Sequence, residues 1–363
     1  MDFCKKQLRK LYTLNFLGNA SIAGAAWVLL LVSCGYSIIE VGILETVFHL
    51  VSLTAEIPSG VFADVFGRKK SLLLSCVCSV IAAVTRIIWI GSFWGVAFSI
   101  GFNALSYNFA SGSDSALAYD TLKENGRQDD YDIYISTQTM IYRITNGAAT
   151  LAAGVAVMLG NTKAHIISII LAAIQIAVAL TLKENKVITK KADSEFSARV
   201  KKTVSESFAF LKGNGKVTGL IFRNALVGAI DILLLFFLQA KLPMTGIPDW
   251  VLGPLLFVMS LGGILGAVLS VKVKNWPFRR IFIMCLAVVT AGFAANFTGV
   301  AWIMTAGGFM AAFADDLIQI RADVELNSLV PSEQRATLIS VNSWCFSFVM
   351  IFMSPLAGFI FSI

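Results

Sequence analysis

The chain has 363 residues, 57% of them hydrophobic and 14% charged, with 29 Lys and Arg against 22 Asp and Glu. A soluble domain carries about 25% charged residues, so a soluble enzyme of this length would lack the charge to stay dispersed, and the apolar content excludes a disordered chain. The six cysteines lie at the ends of apolar segments or inside them, without disulfide or metal spacing. What remains is an integral membrane protein built mostly of spans.

A membrane helix takes about 20 mostly apolar residues. In chain order the sequence predicts such helices over 11–34, 38–60, 70–90, 93–113, 134–158, 164–182, 218–240, 250–271, 279–297, 299–322 and 336–361. The runs are continuous rather than alternating, which selects helices over barrel strands. The expectation is an all-α membrane protein with about 11 transmembrane helices, a twelfth missing before Ile363. The longest polar segment divides it into a six-helix bundle over 1–182, a linker over 183–217 and a five-helix bundle over 218–363. Within the linker, Phe196, Val200, Val204, Phe208 and Leu211 recur at helical spacing. They predict a short amphipathic helix lying on the cytoplasmic face of the membrane.

Lysine and arginine set the orientation. Lys5, Lys6, Arg9 and Lys10 precede the first span, and Arg68, Lys69 and Lys70 lie between the second and third. Lys272, Lys274, Arg279 and Arg280 follow the eighth, whereas the opposite side has only Lys163 and Lys241. The N-terminus is therefore expected in the cytoplasm of a cell-membrane protein, with the C-terminus outside if the spans number eleven. The net charge of +7 is read as topology-setting charge beside anionic lipid, not as a nucleic-acid surface. The bilayer is the partner this charge pattern points to, and a monomeric chain is expected.

The sharpest motif lies between the second and third spans: Gly60-Val-Phe-Ala-Asp64-Val-Phe-Gly67-Arg68-Lys69-Lys70, preceded by Glu56-Ile57-Pro58-Ser59. It resembles the loop signature of the major facilitator superfamily, G-x-x-x-D-x-x-G-[RK]-[RK]. Span count and linker position agree with that resemblance, which covers essentially the whole chain. The run from Glu56 to Leu74, and the stretch from Ser111 to Asp120, resemble the bacterial drug-efflux-like branch. Span five departs from that branch, with Gly147 and Gly154 but no accompanying proline. The corresponding loop of the second half is degenerate: Gly266 is followed by four cations, and no aspartate stands where Asp64 does.

The resemblance implies two bundles rocking about a mid-membrane site and a conformational latch made of Gly60, Asp64, Gly67, Arg68, Lys69, Asp114 and Asp120. Gly60 is expected to let neighbouring helices approach, and Gly67 to permit the turn. Asp64 is expected to meet the start of the last span, at Pro331 and Ser332, and Arg68 to meet Asp114 or Asp120.

An ionisable residue inside a span costs about 2.5–3.5 kcal/mol, which makes it a functional candidate. Glu45 and His49, one turn apart on the second span, are candidates for proton handling, as are Asp231 on the seventh span and Asp315 or Asp316 on the tenth. The two adjacent aspartates diverge by about 100° on a helix, so at most one is expected to serve as the coupling site. Arg143 near the middle of span five, with Asn146, Asn19 and Gln239, are substrate-binding candidates. Fixed ion pairs of the aspartates with Arg143 or Arg223 are the competing reading. Arg86, near the outer end of its span, is expected to snorkel in a structural role.

No nucleotide-binding loop, nucleophile elbow or metal cluster appears, so neither an enzyme nor a cofactor is expected. The expectation is a secondary transporter that exports an amphipathic small molecule against protons. Proton-coupled uptake of a small polar or anionic nutrient is the alternative, and a truncated non-transporting membrane protein the reading from another class.

Overall fold

The computed structural model describes residues 3–184, 193–330 and 335–362, without the side chains of 193–195 and 335–337. Pro331 and Ser332, and much of the charged run at 190–195, lie outside the described residues. The described chain is all helical, with fifteen α-helices and no strand.

The first predicted span is three pieces: α1 (Phe3–Asn19), α2 (Ile22–Ala25) and α3 (Trp27–Ser33). Polar residues make the break. The Ser21 hydroxyl accepts from the Gly24 amide and lies 2.9 Å from the Ser168 hydroxyl, so a side chain takes over a backbone donor. Then come α4 (Ile38–Phe66), α5 (Arg68–Ile88), α6 (Phe93–Ala110), α7 (Ser113–Glu124), α8 (Tyr131–Leu151) and α9 (Ala153–Leu180). Inside α9, Gly160 takes φ 78° and ψ 165°, which breaks the helical path. That break falls between the fifth and sixth predicted spans. The second half holds α10 (Asp193–Gly213), α11 (Gly215–Met244), α12 (Asp249–Ser270), α13 (Phe278–Ala295), α14 (Ala301–Leu329) and α15 (Arg335–Ser362). Among the described residues eight helices are long and apolar enough to cross a membrane.

The chain forms two compact units. The first comprises residues 1–25, 54–152 and 159–204; the second comprises 26–53, 153–158 and 205–363. In the first, Leu11 and Leu14 of α1, Leu72 of α5, Leu117 and Leu122 of α7 and Tyr134 of α8 form a buried cluster. In the second, Ile221 of α11, Ala322 and Leu326 of α14 and Val341 of α15 do the same.

In the linker segment α10 carries an apolar stripe that meets protein. Phe196, Val200 and Val204 pack against Ile57, Val61 and Val65 of α4. Farther along, Phe208 meets Trp344 edge to face at 4.9 Å, and Phe210 is buried with α11, α14 and α15. Helix approach is closest elsewhere than at Gly60, where an added Cβ would meet nothing within 4 Å. The tight crossings set Gly262 and Gly266 of α12 against the backbone of Phe309 and Phe313 on α14, and Gly292 of α13 against Gly307. In hydrocarbon, where no hydrophobic force draws helices together, such small residues permit the contact that does.

Candidate transport site

In the second unit the acidic candidates converge. Asp231 of α11 lies within electrostatic reach of both Asp315 and Asp316 of α14. One turn before Asp231, Gly228 leaves the space that the Asp315 carboxyl occupies: a Cβ there would stand 3.0 Å from Asp315 Oδ1 and 3.6 Å from the Phe346 ring. Asp316 turns the other way. Its carboxyl lies against Gly263 of α12, where an added Cβ would collide with it. The neighbouring aspartates therefore face different helices, as their angular separation on a helix requires. Among the described residues, no group of three or more His, Cys, Asp or Glu is placed to hold a metal.

The same unit holds Glu45 and His49. The His49 Nε2 lies 3.2 Å from Glu45 Oε1, and its Nδ1 lies 3.4 Å from Ser347 Oγ on α15. Both residues are buried. The imidazole stands edge-on to Phe346, centroids 5.7 Å apart. Phe346 thus has the histidine on one side and the Gly228–Asp315 contact on another. Nearby, the Trp344 Nε1 donates to the Leu53 carbonyl at 2.6 Å, five residues ahead of Pro58, whose missing amide interrupts the α4 ladder. Gly42 of α4 lies against the Ser354 carbonyl and Gly358 of α15. Gly228, Phe346 and Ser347 carry no charge or motif, so nothing in the sequence marks them; only the packing does.

Gln239 is buried in this unit. Asn19, Arg143 and Asn146 belong to the first unit. Asn19 ends α1, its Nδ2 donating to the Asn15 carbonyl at 2.8 Å. Arg143 and Asn146 are exposed on α8, and the Asn146 carbonyl accepts from Thr150 Oγ1 at 2.9 Å. Arg223 lies over the Phe282 ring at 5.8 Å. Arg86 does not snorkel. It is buried between α5 and α6 and donates from Nε to Ser99 Oγ at 3.2 Å, because a hydroxyl inside the helix pair saves it the reach to the surface.

The signature loop lies wholly in the first unit. Gly67 takes φ 111° and ψ 145°, a region that favours glycine, and so turns α4 into α5. Arg68 forms an ion pair with Asp120 of α7 and lies 3.7 Å from Asp64. Asp114 takes another partner. It accepts from Gln138 Nε2 of α8 and, at 2.7 Å, from the Ser115 amide. Burial pushes the Asp114 carboxyl up from its ordinary value, and those hydrogen bonds offset part of the rise.

Sequence reasoning missed Glu184. Its carboxylate accepts from the Arg68 amide at 3.1 Å and from the Lys69 amide at 2.8 Å, where an anion complements the helix dipole. Lys69 Nζ donates to the Leu180 carbonyl at 2.7 Å, and Gln7 exchanges two hydrogen bonds with the backbone of Lys183. The start of the linker is thereby tied to α1 and to the signature loop.

Comparison with known proteins agrees with this architecture. A Bacillus subtilis (strain 168) protein described as an uncharacterized MFS-type transporter, YxaM, is 38% identical over 55 residues, 15% of this chain and 14% of that relative's length. Three solved structures share the fold at low identity. The nucleoside transporter NupG has a TM-score of 0.71 at 15% identity, over 99% of this chain and 96% of that one. A bacterial homolog of the human lysosomal transporter Spinster, inward-facing and unoccupied, has a TM-score of 0.71 at 19% identity, over 98% and 82%. A D-xylose-proton symporter has a TM-score of 0.69 at 13% identity, over 97% and 89%. The Major Facilitator Superfamily model matches residues 11–319. With its all-helical fold, its signature loop and that match, the chain belongs to the Major Facilitator Superfamily of multi-pass membrane transporters.

Proposed function

We propose that the chain is a proton-coupled secondary transporter working by alternating access, with the coupling proton held by the Asp231–Asp315 pair. The observation that carries this reading is the approach of Asp315 to α11 at Gly228, within electrostatic reach of Asp231. Two carboxyls that share a site inside a membrane do not both ionise cheaply, because each charge opposes the other and the medium opposes both. One proton relieves the pair, and a change of access then decides to which side it is released. The Glu45–His49 pair is a second group in the same unit able to carry a proton. Asp316, turned toward α12, is assigned a structural role.

The first reading of the cargo is an amphipathic small molecule that leaves the cell as protons enter, following the likeness of residues 56–74 and 111–120 to the drug-efflux-like branch. Arg143 and Asn146, exposed on α8, are the proposed substrate contacts of the first unit, and buried Gln239 is the separate candidate of the second. The experiment is proton movement in proteoliposomes under an imposed pH gradient, with amphipathic cations, nucleosides, sugars and small organic anions added in turn. Substrate-dependent proton flux that is abolished in both Asp231→Asn and Asp315→Asn, but kept in Asp316→Asn, is expected. Flux unchanged in the first two variants overturns the assignment. The sign of the flux separates export from uptake.

A further inference from the structure

The two halves of the chain treat their basic loops differently. In the first half, carboxylates of the chain itself meet the loop: Arg68 pairs with Asp64 and Asp120, and Glu184 accepts from the first two α5 amides, while Lys69 Nζ donates to the Leu180 carbonyl. In the second half, Lys272, Lys274, Arg279 and Arg280 stand on the turn from α12 into α13, and no acidic residue occurs between Asp249 and Asp315. All four are exposed.

A fifth cation joins them: Arg321 of α14 donates from Nη2 to the Lys274 carbonyl at 3.0 Å, while its buried Nε has no partner among the described residues. None of these five cations has a carboxylate within ion-pair distance among the described residues. The acidic residues next on α14 leave them unanswered, for Glu325 pairs with Lys216 at 3.7 Å and Asp323 forms no ion pair among the described residues. Arg280 is steadied by the Trp276 ring, 4.1 Å from its guanidinium carbon.

Directly beside the cations is an apolar depression. Pro277, Ile283 and Met284 line a shallow groove of about 440 Å³ with Arg279 and Arg280. On an α-helix, residues three and four apart share a face, so Ile283 lies on the face of α13 that carries Arg279 and Arg280. Guanidinium groups suit phosphate through paired N–H donors, and an apolar groove beside them suits an acyl chain.

We propose that the α12–α13 turn is a binding site for one anionic phospholipid, whose phosphate is held by Arg279 and Arg280 and whose acyl chain lies along Ile283 and Met284. The lipid supplies from outside the negative charge that Asp64, Asp120 and Glu184 supply from within at the other loop. A free phosphate offers the same headgroup chemistry without the chain, and the test separates the two.

The full-length protein, purified in a mild detergent, is titrated with phosphatidylglycerol, phosphatidylcholine or glycerol 3-phosphate, and bound ligand is counted by native mass spectrometry. One tightly retained phosphatidylglycerol is expected, with phosphatidylcholine and glycerol 3-phosphate retained far less. Each basic side chain near an anionic lipid contributes about 1 kcal/mol, or about fivefold, so Arg279→Gln/Arg280→Gln is expected to weaken retention by about 25-fold. A control pair on α10, Lys201→Gln/Lys202→Gln, is expected to leave it unchanged.

Arg279→Lys/Arg280→Lys keeps the charge and guards against misfolding; it is expected to retain the lipid more tightly than the glutamine pair. Equal retention of the two lipids overturns the proposal, as does an equal loss in the control pair or no loss in the glutamine pair. Binding of glycerol 3-phosphate as tight as that of the lipid replaces the lipid by a soluble phosphate and overturns it too. The readout is binding, so the result stands apart from whatever the transport assay returns.

Discussion

Glu184 receives the first two amides of α5 on its two carboxylate oxygens. Amides at a helix start have no partner inside the helix, and a carboxylate there gains from both hydrogen bonding and the dipole. Glu184→Gln removes the charge and keeps the shape. It is expected to lower unfolding stability by about 1–2 kcal/mol, since hydrogen bonds to charged groups are worth more than neutral ones. Thermal melting of the purified protein checks this, and an unchanged melt would show that the cap carries no weight. The acidic residues of the second unit belong to the same scale. Asp231, Asp315, Glu45 and His49 announce themselves in the sequence because charge is costly in a span. Their partners do not: Gly228, Phe346 and Ser347 look like ordinary span residues. Glu184 looked like linker, because the two amides it caps lie more than a hundred positions away.

At the scale of elements, glycine means opposite things at two places. Gly266 of α12 has the Phe313 carbonyl and the Leu317 amide of α14 where a side chain would stand, while Gly60 of α4 has open space. Gly266→Val is expected to destabilise by about 1–3 kcal/mol, the usual result of overpacking. Gly60→Ala is expected to be neutral or to stabilise by about 0.5–1 kcal/mol, because alanine suits a helix interior better than glycine. Denaturant or thermal unfolding of the two variants, side by side, checks the pair; similar effects at both sites would contradict the packing described here. The motif pattern suggested Gly60 as the close-approach position. A motif fixes which residue is glycine, but not whether a neighbour comes near. Likewise the period of Phe196, Val200 and Val204 marked an apolar face on α10. Whether lipid or protein covered it depended on α4, whose Ile57, Val61 and Val65 take the place assigned to the membrane.

At the scale of the molecule, the N-terminal half of α4 illustrates how chain order and packing part company. Residues 26–53 come from the first half of the sequence, yet they fold into one compact unit with α11 to α15. Gly42 against Gly358, His49 against Ser347 and Trp344 on Leu53 are the contacts that bind them. The signature loop, by contrast, keeps its cations inside the first unit. If Arg68 governs the conformational cycle from there, Arg68→Glu is expected to cut transport at least tenfold while expression and melting stay near wild type. Unchanged transport would remove the latch role from Arg68 and Asp120.

Composition and apolar run length alone determined that this is a helical membrane protein. Both follow from one constraint, that backbone amides in hydrocarbon must be satisfied within the segment. The loop signature added the family, and the charges inside spans added the short list of candidate residues. Tertiary structure alone decided which candidates meet. Asp315 reaches α11 where Gly228 leaves a gap, one turn from Asp231; the Asp316 carboxyl lies against Gly263 of α12; Arg143, Asn146 and Asn19 fall in the other unit. It also decided that Arg68 of the first basic loop meets carboxylates of its own chain, while the cations of the second have none within reach among the described residues. Such outcomes depend on contacts between residues far apart in sequence, and local pattern carries no information about which distant side chain will arrive.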